Sequence, residues 1–387
     1  MAAPLYLDHN ATAPLAPGVL QAMLPFLEQQ HFNPSSDYGP SLAVREAIEI
    51  ARRKVGLLVG AEQPKQIAFT SGGTESIHAA FHCALSTQGH SGSVAISAVE
   101  HSATKGAAKM WSERGFRTHI LAVDCAGQIA EDTLDRLLET ERPALVSTIL
   151  ANNETGVIQD LQGWANRIHA AGARWHVDAV QAPGKMALDA ISLGADWLSI
   201  SGHKFGAPKG IGALFLREVP QSSPWLAGGG QERGLRGGTE NVAGIVGMGS
   251  AAERALAQVQ NGPGLQALAE LRNQLEAHIL EALPGSRVHG ANSPRVPNTT
   301  QMYLPGCPSQ FLLPLLEAEG LLASAGSACD ATHHAPSEVL LAMACSAEEA
   351  ACSLRISLPF ESNSEILDRA GPAIVRACQL LLGHHSH

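Results

Sequence analysis

Four short stretches carry residue types that could do chemistry together. In TSGGTES, residues 70–76, an apolar run ends, Gly72 and Gly73 follow, and Thr74 opens an amphipathic pattern. Unpaired N–H groups and the positive dipole end at a helix start favour a phosphate. Taken alone, an ordinary capped turn explains the stretch as well, because short glycine-rich turns are weak motifs. In HVDAVQ, residues 176–181, Asp178 lies within an apolar strand, where an unpaired carboxylate is expensive. It needs a cationic partner, in a site or in a structural salt bridge. In SGHKFGAPKGIGAL, residues 201–214, Lys204 follows a Ser-Gly-His turn where an apolar run stops. A surface lysine needs no such place, whereas a lysine in a partly dry site loses basicity and becomes a nucleophile toward carbonyl groups. In SAGSACDATHHAPS, residues 324–337, Cys329 sits among small and polar residues. That context suits an exposed reactive thiol better than a buried structural one.

Lys204 lies 26 residues after Asp178, which leaves room for one helix and one strand between them. Both can then project from neighbouring strands at one sheet edge. A phosphate cup, a buried aspartate and an activated lysine have one economical common purpose. They suit pyridoxal 5'-phosphate, with lysine as Schiff base and aspartate on the ring nitrogen. A Walker-type phosphate loop is excluded, because no G-x-x-x-x-G-K-[ST] occurs in the chain.

The elements that must position these residues are legible as alternating patterns. Leu20, Met23, Leu24 and Leu27 fall at helical spacing, as do Val44, Ile48, Ala51, Val55 and Leu58. Short apolar runs then alternate with helical ones: QIAFTS, SVAISAVE, THILAVD, ALVSTILA, RWHVDAV, DWLSIS and GALFL. This predicts an α/β fold with a mainly parallel central sheet, whose ligands sit at the carboxyl ends of the strands. Glu100-His101, Asn152-Asn153, Asp178, Gln181 and the Ser201–Lys204 turn all fall there. After about Ala257 the pattern changes to a long amphipathic helix through Leu268, Leu271, Leu275 and Ile279, then mixed strands and helices. That predicts a large domain over 15–257 and a smaller α+β domain from 1–14 and 258–387, the latter carrying Cys329.

The chain has 387 residues, 16% of them charged, and a net charge of −10. That balance argues against holding nucleic acid through its phosphates, and 4% aromatic content argues against a base-stacking platform. The N-terminus does not read as a signal peptide, and no apolar run approaches a membrane span. Seven cysteines, an odd number, read as free thiols in a reducing compartment, and the expectation is a cytoplasmic enzyme.

With these residues in hand, the chain resembles the class V aminotransferase-like cysteine desulfurases, the sulfur donors for iron–sulfur clusters. The resemblance runs nearly end to end through YLDHNATAPL, NPSS, FTSGGTES, VEHSAT, ANNETGV, HVDAVQ, SGHKFGAPKGIGAL, GGGQERGLRGGTEN, ASAGSACDA and LRISL. It implies a pyridoxal-phosphate-dependent transferase fold and a role for each matching residue. Lys204 would carry the cofactor and move protons, and His101 would stack on its ring. Asp178 would pair with the ring nitrogen and Gln181 with the phenolic oxygen. Gly73, Thr74, Ser201 and His203 would hold the phosphate, and Thr239 would reach the phosphate of a neighbouring subunit in a homodimer. Asn153 and Arg355 would hold the carboxylate of L-cysteine, Arg355 in bidentate fashion. Cys329 would take the sulfur as a persulfide, leaving L-alanine, and pass it to an acceptor protein such as an iron–sulfur scaffold.

The same resemblance leaves a selenocysteine lyase as the alternative, and an inactive sulfur-relay scaffold as a remote one. No metal site is expected: Cys345 and Cys352, seven apart and able to share a helix face, lack the usual C-x-x-C pairing. The chain departs from many relatives after Cys329, where Asp330 would disfavour a thiolate and protonated His333 and His334 would favour it. Pro359 follows RISL, where a small residue is usual, and the sequence closes on LLGHHSH, where many relatives of the resembled family are expected to carry a longer tail.

Overall fold

The computed structural model describes residues 4–87, 89, 92–219, 224–260, 263–326 and 336–384. The strands, in chain order, are β1 (Leu5–Tyr6), β2 (Ile67–Thr70), β3 (Gly92–Ser97), β4 (Phe116–Leu121), β5 (Leu145–Ile149), β6 (Arg174–Asp178), β7 (Trp197–Ser201), β8 (Gly212–Leu216), β9 (Arg287–Val288), β10 (Thr299–Tyr303), β11 (Leu321–Leu322) and β12 (Ser353–Ser357).

Seven of them form the central sheet in the order β2-β8-β7-β6-β5-β3-β4. All seven are the apolar runs picked out by the sequence. Strands β4, β3, β5, β6 and β7 pair in parallel, while β8 runs antiparallel to both β7 and β2. The reason for the reversal lies in the link. Residues 202–211 are too few for a crossover helix, so β8 must return alongside β7. The turn holding Lys204 is thereby placed at the carboxyl end of the sheet. After β4 the chain comes back to the other side of β3 to lay down β5. That reversal opens a crevice at the carboxyl ends of β3 and β5, where ligands of such sheets bind.

Alternate side chains of each strand go to opposite faces. Val94, Ile96, Leu214 and Leu216 pack with Ile77, Phe81, Ala107 and Trp111 from the helices Gly73–Leu85 and Ser102–Ser112. Ala95, Trp175, Val177, Ala213 and Phe215 pack on the other face with Ile48, Val55 and Met248. The helices on that side are Gly39–Val59 and Val242–Gln260. A separate apolar cluster gathers Leu268, Leu275 and Ile279 with Leu354, Ile356, Ile374 and, from the other end of the chain, Leu7. Its strands are β12-β10-β9, antiparallel, and β1-β11, parallel.

Two local expectations differ from the structure. The run LLASAGSA reads as strand-like, yet among its described residues, 321–326, only Leu321–Leu322 form one, since small residues give a strand little side chain to pack. Cys345 and Cys352 do not share a helix: Ala347–Ala351 lies between them, with Cys352 at its C-terminal cap.

Candidate active site

A cavity of about 580 Å³ opens at the carboxyl ends of the sheet strands. Gly73, Thr74, His101, Asn153, Asp178, Gln181, Ser201, His203, Lys204 and Arg355 all line it. The volume is that of a small-molecule site.

One end of the cavity is the start of the helix Gly73–Leu85. Its N-cap, Gly72, offers no side-chain cap to the first N–H groups. A side chain at Gly73 would place Cβ 2.9 Å from Val180 Cγ2 and 3.3 Å from Ser201 Cβ, so only glycine lets the helix start against β7. Ser201 and His203 stand beside it. Burial, with Lys204 and Lys209 nearby, pulls the His203 imidazole down to about 4. Its Nδ1 lies 3.2 Å from Thr12 Oγ1.

Asp178 ends β6 and Ser201 ends the adjoining parallel strand β7, so the two sides of the cavity floor follow from strand register. Burial pushes the Asp178 carboxyl up to about 6, opposed by the Val180 N–H on its Oδ1 and by the charge of Lys204. Lys204 Nζ donates to Asn10 O at 2.6 Å and Ala11 O at 2.9 Å. The N-terminal segment is laid over this turn by Ala13 N–H to His203 O and Ala16 N–H to Gly206 O, both 2.8 Å. Gly206 has φ +88, and a Cβ there would meet Ala16 Cβ at 2.7 Å.

His101 caps the helix Ser102–Ser112, its Nδ1 accepting the Ala103 N–H at 3.1 Å. In the neutral ring the proton is therefore on Nε2. The preceding Glu100 is fully buried, and burial together with Asp178 pushes it up to about 8. Its Oε1 accepts from Ile149 N–H at 2.5 Å and from Ser97 Oγ at 2.6 Å.

Arg355, on β12, is 1% exposed yet reaches the cavity. One of its terminal nitrogens donates to Asp8 Oδ1 at 2.6 Å and the other to Asn153 O at 3.2 Å, while its buried Nε has no partner among the described residues. A carboxylate entering here would find a donor waiting. Asn10 knots the neighbourhood together. Its side chain donates to Asn153 O and Thr299 Oγ1, and its Oδ1 accepts from Lys185 Nζ and Asn298 Nδ2.

Two expected residues stand apart. Thr239 is not on this cavity; it borders a smaller adjoining one with Ser71 and Gly210, both of which also line the main cavity. Cys329, with Asp330, His333 and His334, lies outside the described residues. The chain on either side of it is well tied. Ser324 and Arg355 exchange both backbone hydrogen bonds, at 3.3 and 2.6 Å, and Gln301 Nε2 donates to Ala325 O at 2.8 Å. Downstream, the Ser337 hydroxyl caps the helix Glu338–Ala342 and donates to Glu154 Oε2 at 2.6 Å.

Sequence reasoning missed Asp8, Asn10, Lys185 and Glu154 as contributors. Asp8, Asn10 and Glu154 sit inside stretches already singled out, whereas Lys185, in a Pro-Gly-Lys turn, reads as a surface lysine. The donor set fits pyridoxal phosphate. An uncapped helix start suits a phosphate, a buried carboxyl near 6 suits a protonated ring nitrogen, and the Lys204 side chain lines the same cavity.

The chain matches the family model for class-V aminotransferases over residues 5–369. It is 41% identical to a cysteine desulfurase of Cereibacter sphaeroides over 366 residues, covering 94% of this chain and 93% of that one. Among solved structures, a NifS-like protein superposes with a TM-score of 0.87 at 31% identity, covering 98% of this chain and 99% of the other. The protein SspA, in complex with cysteine, superposes with a TM-score of 0.81 at 30% identity, over 92% and 99%.

Proposed function

Since the chain belongs to the class-V aminotransferase family, and its activity is that of a cysteine desulfurase, we propose that the cavity holds pyridoxal 5'-phosphate and L-cysteine with the residues below in named roles. The observation that carries the reading is Asp178 at the end of β6 and Lys204 in the turn just after the adjoining β7, both lining one cavity with an uncapped helix start. Gly73, Thr74, Ser201 and His203 hold the phosphate, Asp178 faces the ring nitrogen, Gln181 the phenolic oxygen, and His101 covers the ring. The cofactor supplies an electron sink for charge developing at the substrate α-carbon.

The chain's own groups do the rest. Arg355 and Asn153 fix the substrate carboxylate, and the unpartnered Arg355 Nε supplies a further donor there. Lys204 tethers the cofactor through Nζ, then removes the α-proton as a general base. The Cys329 thiolate attacks the substrate sulfur. A sulfur–sulfur bond forms, the carbon–sulfur bond breaks, its electron pair stays with the β-carbon, which takes up a proton, and Lys204 returns a proton to the α-carbon to complete alanine. Sulfur then passes from Cys329 to an acceptor protein, an iron–sulfur scaffold being the proposed class, or to a thiol reductant. The test is direct: purified protein loaded with cofactor should release alanine and, with a reductant, sulfide from L-cysteine. No alanine would overturn the reading.

Asp178→Ala is expected to weaken cofactor binding and turnover together. A hydrogen bond to a charged group contributes about 1.5–3 kcal/mol, which is roughly ten- to a hundredfold in affinity. Absorbance titration with cofactor checks this, and unchanged affinity and rate would give Asp178 another partner.

The site is also proposed to be shared across a homodimer. Leu20, Leu24 and Leu27 form one exposed apolar row on the helix Val19–Glu28, and Leu42 and Leu57 are exposed on Gly39–Val59. Such a face calls for a partner surface. Thr239 then serves the neighbouring subunit's phosphate, which agrees with its place outside its own chain's cavity. Leu24→Asp/Leu27→Asp is expected to elute as a monomer and lose activity with dissociation; a fully active monomer would refute the sharing.

The division into a large domain, 15–257, and a small one, 1–14 with 258–387, is proposed on the same footing. It is supported by Leu7 packing with Leu354 and Ile356. Among the described residues no helix is long and apolar enough to cross a membrane. A cytoplasmic location is part of the proposal.

A further inference from the structure

Lys185 is a lysine that no step of the reaction uses, yet it is 3% exposed. It lies in the turn after β6, its backbone N–H bonded to Ala182 O. Its Nζ donates to Gln181 Oε1 at 2.5 Å and to Asn10 Oδ1 at 2.8 Å. Both acceptors are neutral amide oxygens. The charges that bear on it are cations, Lys204 and Arg355, and it presses in turn on His9. The carboxylates of this region are engaged elsewhere: Asp8 pairs with Arg355, and Asp178 interacts with Lys204. Burial and the two cations therefore push the Lys185 ammonium well below the usual lysine range.

A buried lysine with no carboxylate partner among the described residues is a costly way to fill space. What it does here follows from donor chemistry. Whether charged or neutral, the amine offers N–H groups to both amides. Gln181 must then turn its carbonyl toward Lys185. Its NH₂ group is left to the other side, where Nε2 donates to Asn10 O at 3.0 Å and the side chain borders the cavity. The oxygen and nitrogen of a glutamine amide are nearly the same size, so without Lys185 only the Asn10 carbonyl would oppose the amide turning over to present an acceptor.

We infer that Lys185 is a positioning residue that locks Gln181 with its NH₂ group toward the cavity, so that the site offers a donor to the phenolic oxygen of the cofactor. The inference rests on the role proposed above for Gln181. An acceptor in that place would repel an oxygen that carries negative charge.

The test is the pH dependence of the visible absorbance of the Lys204-bound cofactor in the holoenzyme. A donor on the phenolic oxygen favours the deprotonated form, in which that oxygen carries the uncompensated charge. Losing the donor moves the transition to higher pH. Gln181→Leu is expected to raise the midpoint by about one unit and Lys185→Met by about half a unit or more. The double variant should rise no further than Gln181→Leu alone, because the two residues act as one unit. If Lys185→Met does not accumulate folded, Lys185→Gln, whose shorter side chain keeps a donor, should give a midpoint between wild type and Gln181→Leu. An unmoved midpoint in Gln181→Leu would remove the proposed role of Gln181. A moved midpoint there, with Lys185→Met or Lys185→Gln unmoved, would overturn the role of Lys185 alone. Additive shifts in the double variant would overturn it too, since Lys185 would then act directly through its charge.

Discussion

Lys204→Ala is expected to leave a folded protein with no visible absorbance from tethered cofactor and no measurable alanine from L-cysteine. Loss of a positioned general base alone costs about 10²–10⁴-fold, and loss of the covalent tether comes on top. The fold should survive, because the N-terminal segment that Lys204 touches is held independently. Asn10 N–H donates to Ser357 Oγ, its side chain to Thr299 Oγ1, and Ala16 N–H to Gly206 O. Circular dichroism should therefore match wild type while the visible band is absent. A variant that still shows the band and releases alanine would move the tether to another amine. Lys185 is the nearest test of that idea. Its Nζ is bonded to two side-chain amides, Gln181 and Asn10, so it cannot replace Lys204 without abandoning both.

How far the site was legible in the sequence depended on whether a residue's role was local. Asp178 stood out because a carboxylate in an apolar strand is expensive whatever surrounds it. Lys204 stood out because a Ser-Gly-His turn interrupts an apolar run. All seven sheet strands were visible as apolar runs for the same reason. The order of those strands was not, and neither was the reversal of β8, which depends on the short link 202–211 closing back along β7. Asn10 was opaque because its partners, Asn153, Lys185 and the adjacent Asn298 and Thr299, come from three distant parts of the chain. Lys185 was opaque because a lysine after Pro-Gly has every local mark of a surface residue. Only the folded chain, with the N-terminal segment laid across the turn after β6, buries it. Asp8 and Arg355 meet on the same principle: β12 and the N-terminal segment adjoin through the Asp8–Ser357 bridge, far from neighbours in sequence.

Cys329→Ser is expected to separate binding from chemistry. The sulfur of L-cysteine is removed by thiolate attack on sulfur, and a serine hydroxyl neither ionises comparably nor forms a sulfur–sulfur bond. The flanking chain gives reason to expect an intact site in the variant, because Ser324 is bridged to Arg355 and Ser337 is bonded to Glu154, the neighbour of Asn153. Cofactor absorbance and its change on adding L-cysteine should therefore match wild type, while alanine release falls by about 10³-fold or more, the scale of losing a catalytic nucleophile. Wild type exposed to L-cysteine should gain the mass of one sulfur on the peptide carrying Cys329. Other thiols are poor substitutes: Cys307, Cys352 and Cys378 are buried, and burial pushes Cys83 up to about 12. Cys125 is exposed, so peptide mapping must distinguish it from Cys329. The rate should rise with pH as the Cys329 thiol ionises. If the charge of Asp330 outweighs His333 and His334, Asp330→Asn moves that rise to lower pH and leaves the cofactor spectrum alone. Cys329→Ser also divides the two substrates, since selenium is the better leaving atom and a selenocysteine lyase depends less on an attacking thiol. Substantial alanine from L-cysteine in Cys329→Ser would contradict thiolate attack by Cys329.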